Sequence, residues 1–246
     1  MILVTGGTHG IGRACVERLA RDGHRIVFTG RDRAAGSAIE QAMPGTTYLY
    51  GDVALESECR SVVETTLDLC AGCLDGLVNN AGMSTRESFS SSSAADWDTI
   101  MAVNVRSAFL FMRFALQGLI AARGAVVNVS SIAGKAGEEG LAIYCASKAA
   151  MIALTQALAL EFGESVRMNV VCPGQVDTRM MKNITGNPKA RRALELRIPA
   201  GRFAQPAEIA NVVAWLLSPE ASYVNGAVIT ADGGETAGVR LPRSSS

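Results

Sequence analysis

The sequence predicts one doubly wound α/β domain, a three-layer sandwich whose middle layer is a seven-stranded parallel sheet. Three observations predict it. Apolar β-branched runs alternate with longer helix-period segments from one end of the chain to the other. A glycine-rich turn directly follows the first run. No linker, repeat or composition shift divides the 246 residues, which suit one large domain.

The strands expected are Ile2–Thr5, Arg25–Thr29, Thr46–Tyr50, Gly76–Asn79, Ala125–Ser130, Arg167–Cys172 and Ala227–Thr230. Helices are expected between them, at about 11–22, 33–42, 55–71, 94–121, 142–163 and 206–217. Strict alternation of this kind requires crossovers, and crossovers give parallel strands covered on both faces. Two stretches interrupt the rhythm. Residues 83–95, with the run Ser90–Ser93, read as a polar surface loop. Residues 174–205 read as one long irregular connection holding Pro188, Pro199 and the basic pair Arg191–Arg192, and such connections are often lids. The tail from Glu235 to Ser246 reads as polar and frayed.

Composition narrows the function. Hydrophobic residues at 48% and charged residues at 19% allow a large core. The 23 basic and 23 acidic residues cancel, which argues against a nucleic-acid-binding surface. Met1 leads directly into Ile2–Val4 with no basic leader, and no apolar run approaches the ~20 residues of a membrane span. A cytoplasmic protein is expected. Its six cysteines read as free thiols, and the Cys70–Cys73 pair lacks the second pair or histidine cluster that a zinc site needs, so no metal is expected.

Two segments suggest a dinucleotide site. Thr5-Gly6-Gly7-Thr8-His9-Gly10-Ile11-Gly12 lies between the first strand and the first helix, where glycines permit close backbone approach and a helix N-terminus attracts phosphate. His9 reads as a phosphate-side residue of that loop. The second strand ends in Gly30 and is followed by Arg31, Asp32 and Arg33. Arg31 can pair with a ribose 2′-phosphate, which favours NADP(H) over NAD(H); alternatively Arg31 and Arg33 are solvated residues opening a helix.

A third segment carries the chemistry. Tyr144 and Lys148 are four residues apart, so a helix puts them on one face. A phenol of pKa ~10 is a poor acid or base at neutral pH, and an adjacent ammonium is expected to lower it. The pair alone also fits an ordinary amphipathic helix.

Taken together, these residues resemble the short-chain dehydrogenase/reductase family, in its subgroup of about 250 residues with a Rossmann-like fold. The resemblance covers essentially the whole chain. Thr5–Gly12 has the Thr-Gly-x-x-x-Gly-x-Gly spacing of that subgroup. Asp52-Val53 resembles the family's adenine-contacting pair. Asn79-Asn80-Ala81-Gly82 matches its Asn-Asn-Ala-Gly element, and Pro173-Gly174-Gln175-Val176-Asp177-Thr178 its element over the nicotinamide, with Val176 and Thr178 near the carboxamide. The family's catalytic serine stands thirteen residues before the tyrosine, which selects Ser131 over Ser130. Asn104 occupies the asparagine position of the tetrad.

The resemblance implies hydride transfer between a nicotinamide and a carbonyl or secondary alcohol. Tyr144 is implied as acid/base, Lys148 as its pKa-lowering and ribose-holding partner, Ser131 as the group orienting the substrate oxygen, and Asn104 as the holder of a relay water. An asparagine in the largely apolar run Met101–Phe111 is costly unless satisfied, in line with a role. The cofactor-binding set is Gly6, Thr8, His9, Gly10, Ile11, Gly12, Arg31, Asp52, Val53, Asn80, Ala81, Gly82, Tyr144, Lys148, Pro173, Gly174, Val176 and Thr178. The expected activity is an NADP(H)-preferring reductase of a ketone or 3-oxoacyl group. The alternatives are an NAD-dependent alcohol dehydrogenase and a silent cofactor-binding regulator.

Residues 83–88, 132–141 and 175–200 are the expected substrate walls, with Met180, Met181 and Ile184 as an adaptable apolar lid. Glu138 and Glu139 could repel an anionic substrate, but solvated side chains are the preferred reading. The family implies a homotetramer or dimer. The apolar excess of helices 94–121 and 142–163 fits either such an interface or burial.

Overall fold

A computed structural model describes residues 1–181 and 186–239. Its sheet has seven parallel strands in the order β3-β2-β1-β4-β5-β6-β7: β1 (Ile2–Thr5), β2 (Ile26–Gly30), β3 (Thr46–Tyr50), β4 (Gly76–Asn79), β5 (Ala125–Val129), β6 (Arg167–Pro173) and β7 (Val228–Ala231). The connecting helices are α1 (Gly10–Arg21), α2 (Arg33–Ala42), α3 (Glu56–Leu69), α4 (Ala94–Met101), α5 (Ser107–Ala122), α6 (Ala142–Phe162), α7 (Pro188–Arg197) and α8 (Pro206–Leu217).

Alternation along each strand divides the core into two. Ile2 and Val4 of β1 point to one face and pack with Val16 and Leu19 of α1, Ile39 of α2, and Ile209 and Val213 of α8. Leu3, between them, points to the other face and joins Val62 and Val63 of α3, Phe111 and Leu119 of α5, and Met151 of α6. A buried polar chain crosses the second layer. Asn79 of β4 donates to Asn128 of β5 at 2.8 Å, and Asn128 donates to Thr155 of α6 at 2.8 Å. These bonds fix the height of α6 against the sheet, and α6 carries Tyr144.

The order reverses at β1, which pairs with β2 on one side and β4 on the other. That switch point opens a crevice at the carboxyl ends of the strands.

The structure corrects four expectations. The span expected at 94–121 is not one α-helix: α4 and α5 are joined by a π-helical turn over Ala102–Arg106. The connection 174–205 contains α7. Asn187 caps it, accepting from Lys189 N at 3.0 Å and Ala190 N at 3.2 Å, with Pro188 in the first turn. None of its residues is buried, so no apolar periodicity marked it. Glu235, placed in the frayed tail, has a side chain only 3% exposed. Finally, Ala94–Ala122 and Ala142–Phe162 do meet the length and hydropathy of a membrane span; here they are layers of the sandwich, with Leu110, Phe111, Ala115, Leu119 and Met151 in the core. Ile184 and residues 240–246 lie outside the described residues.

Candidate active site

The crevice is a cavity of about 1500 Å3, larger than the ~300–1,000 Å3 of a typical small-molecule site. The turn after each of β1 to β6 contributes to its wall: Gly6 and Thr8, Arg31, Asp52 and Val53, Asn80–Gly82, Ser130 and Ser131, and Gly174. His9, Gly10, Ile11, Tyr144, Lys148, Pro173, Val176 and Thr178 complete the expected residues on the wall.

Gly12 and Asn104 lie behind this wall, each against residues that form it or adjoin it. A Cβ at Gly12 would lie 2.2 Å from the Gly6 carbonyl oxygen and 2.4 Å from Asn80 Nδ2. Gly12 therefore lets α1 close onto the loop. Asn104 is buried in the π-helical turn. Its Oδ1 accepts from Met83 N at 2.8 Å, and its Nδ2 donates to Met83 O at 2.9 Å and to Ser147 Oγ at 2.9 Å. The amide clasps the segment after β4 to α6.

The glycine loop fits a phosphate. His9 occupies the N-cap of α1 with no side-chain capping bond, so the first N–H groups of α1 face the cavity without a side-chain acceptor. Beside it, Asp32 caps α2 by accepting from Ala35 N at 3.1 Å through Oδ1, while Oδ2 takes His9 Nε2 at 2.8 Å. These bonds, Ala35 N foremost, hold the Asp32 carboxyl below its usual range. Arg31 stays 68% exposed, with Asp52 Oδ2 at 3.6 Å. Arg33 lies over the Tyr50 ring at 3.7 Å. Arg179, which sequence reasoning missed, reaches across the mouth to His9 Nε2 at 2.8 Å. Its lone position in an irregular segment gave no periodic signal.

The chemical residues meet where β5 hands over to α6. Gly134 is essential there, because a Cβ would lie 2.7 Å from the Lys148 carbonyl carbon. That close approach brings the Ser131 turn onto α6. Ser131 lies beside the Tyr144 phenol and acts to lower its pKa, and its Oγ accepts from Ala133 N at 3.1 Å. Ser130 also lines the cavity, but its hydroxyl donates to the Lys148 carbonyl at 2.8 Å. Lys148 is buried and donates from Nζ to Val129 O at 2.9 Å.

The electrostatics reverse one expectation. Burial pushes the Tyr144 phenol up to about 12, opposed by the Ser131 hydrogen bond and helped by the Glu138 charge. Burial also pushes Lys148 down to about 8. Desolvation penalises the phenolate and the ammonium together, and it outweighs their attraction across 5.7 Å from Nζ to the ring centroid. Glu138 is not simply solvated: it lines the cavity and pairs with Arg86.

A family model described as enoyl-(acyl carrier protein) reductase matches residues 6–236. The 2-(S)-hydroxypropyl-CoM dehydrogenase 3 of Xanthobacter autotrophicus is 37% identical over 96% of this chain and 96% of its own. The 3-oxoacyl-[acyl-carrier-protein] reductase FabG of Aquifex aeolicus is 37% identical over 94% of this chain and 95% of its own. Among solved structures, the Pseudomonas aeruginosa RhlG/NADP active-site complex superposes with a TM-score of 0.89 at 33% identity, covering 95% of each chain.

Proposed function

Because the chain belongs to the short-chain dehydrogenase/reductase family and is an oxidoreductase acting on CH–OH groups, we propose that it is an NADP(H)-preferring reductase of a ketone or 3-oxoacyl group. The observation that carries this reading is the Ser131–Tyr144–Lys148 set on the wall of a cavity large enough for a dinucleotide and a substrate. The dinucleotide would be held by the glycine loop, Asp52-Val53, Asn80–Gly82 and Pro173–Thr178, and when bound it supplies the hydride.

Ser131, whose Oγ already accepts from Ala133 N, keeps its own hydroxyl proton to donate, and it orients the substrate carbonyl toward the phenol. Tyr144 keeps its proton on Oη well above neutral pH, so the proton is in place when a carbonyl becomes an alcohol, and the negative charge developing on the substrate oxygen is what draws it across. Lys148, near 8, exchanges protons at working pH and restores the one Tyr144 gives up. Asn104 acts as a positioning residue by fixing Met83 and Ser147 around this set.

NADP(H) preference rests on Arg31. The nearby carboxylate that would favour an unphosphorylated ribose, Asp32, is committed to α2 and His9, while Arg31 is exposed on the cavity wall. A neighbour solved with NADP agrees with this choice. Exposed Phe109 on α5 (47%) and Leu160 on α6 (89%) favour a homotetramer or dimer through these helices. Six free thiols fit a cytoplasmic protein.

A panel of ketones assayed in parallel with NADPH and NADH tests the proposal. NADPH should be favoured, and Arg31→Asp should reverse that preference. Equal use of both cofactors before and after the change would refute the cofactor reading.

A further inference from the structure

Glu235 breaks an ordinary rule of protein interiors. Its carboxyl is buried, with the side chain 3% exposed, yet Oε2 has no hydrogen-bond partner among the described residues. Oε1 takes Arg197 Nη2 at 3.1 Å and, at the long distance of 3.5 Å, Gln175 Nε2. A buried carboxylate with an unsatisfied oxygen is a poor way to gain stability, because its desolvation offsets the attraction to a half-exposed guanidinium. Such departures from local rules tend to serve a site.

The geometry gives the pair a direction. Glu235 lies behind the cavity wall, whereas Arg197 and Gln175 are on it. Arg197 is 54% exposed, and its one polar partner among the described residues is Glu235. The guanidinium is thus anchored at one nitrogen while its other donors remain available. Arg197 shares the cavity wall with Tyr144 and Glu138, and the Gln175 that meets Glu235 belongs to the wall segment Pro173–Thr178. The Glu138 carboxylate on the wall is neutralised by Arg86, also on the wall. The carboxylate that pairs with Arg197 is off the wall, so a ligand meets the guanidinium donors and not the carboxylate.

We propose that Arg197, held in place by Glu235, is a specificity residue that binds an oxyanion at the far end of the carbonyl substrate. The inference rests on the carbonyl-reductase reading above. Carboxylate and phosphate share the chemistry a guanidinium recognises, and the test separates them.

Wild type, Arg197→Met and Arg197→Lys are assayed with NADPH on matched pairs: 4-oxopentanoate against its methyl ester, 5-oxohexanoate against its methyl ester, and hydroxyacetone phosphate against hydroxyacetone. In at least one pair the charged member should be preferred in kcat/KM by about tenfold or more, the size expected for a charge-assisted hydrogen bond. The preferred pair identifies carboxylate or phosphate as the source. Arg197→Met should bring that ratio to about one through KM, and Arg197→Lys should retain part of it. A ratio near one in every wild-type pair, or one that Arg197→Met leaves intact, overturns the proposal. If no carbonyl is reduced, neutral ones included, the reductase reading fails. The inference is then judged by calorimetric titration with pentanoate and inorganic phosphate. Equal affinity of wild type and Arg197→Met for both anions would refute it.

Discussion

Lys148 stands one helical turn beyond Tyr144, with Nζ 5.7 Å from the centroid of the phenol ring, and it donates to the Val129 carbonyl. The pair is buried together, and burial moves the two groups in opposite directions: the phenol up to about 12 and the ammonium down to about 8. A proton is therefore held firmly on tyrosine and loosely on lysine.

The lowered Lys148 value has a consequence for stability. Between about 8 and the unfolded value of 10.5, the unfolded chain binds the lysine proton and the folded chain does not. Stability therefore rises with pH across that window, and the cost of the buried charge is felt below it. Denaturant titrations of wild type and Lys148→Met from pH 7 to pH 10.5 should converge on different slopes, with wild type gaining on the variant as pH rises. Parallel curves would show that Lys148 is not desolvated.

The two adjacent serines separate chemistry from structure. Ser131→Ala should lower kcat by roughly 100-fold, in the range for loss of a group oriented toward the transition state, with little change in the denaturation midpoint. Ser130→Ala removes a buried hydrogen bond and should cost about 1 kcal/mol of stability, with the smaller effect on kcat. The reverse pattern would assign the catalytic hydroxyl to Ser130.

Gly12→Ala places a methyl 2.2 Å from the Gly6 carbonyl oxygen. Both partners are fixed, the first by backbone and the second by the bonds from Asn80 Nδ2 to Thr5 O at 3.0 Å and Gly6 O at 3.2 Å. The variant should lose about 1–3 kcal/mol of stability and bind dinucleotide more weakly, as read by thermal melting and by NADPH fluorescence. Wild-type values in both would mean that the loop yields without cost.

The sequence was most informative where periodicity and spacing coincide. Alternating strands such as Ile2–Thr5 report two covered faces, and the interval from Ser131 to Tyr144 survives because one turn and one close glycine contact join them. Spacing could not report what burial does to charge, so the direction of the Tyr144 shift was misread. It also could not report a helix that buries nothing, as with α7, or long-range partners such as Arg197 and Glu235. Asn104 was legible as a polar residue needing satisfaction. The groups that satisfy it, Met83 and Ser147, come from separate segments and appear only in three dimensions.

The central claim is that the Tyr144 hydroxyl delivers the proton. Tyr144→Phe removes that oxygen and leaves the ring, so NADPH affinity measured by fluorescence titration should stay within about threefold of wild type, while kcat on a reducible ketone should fall by about 100-fold or more. A variant that binds NADPH normally and turns over near the wild-type rate would contradict the account.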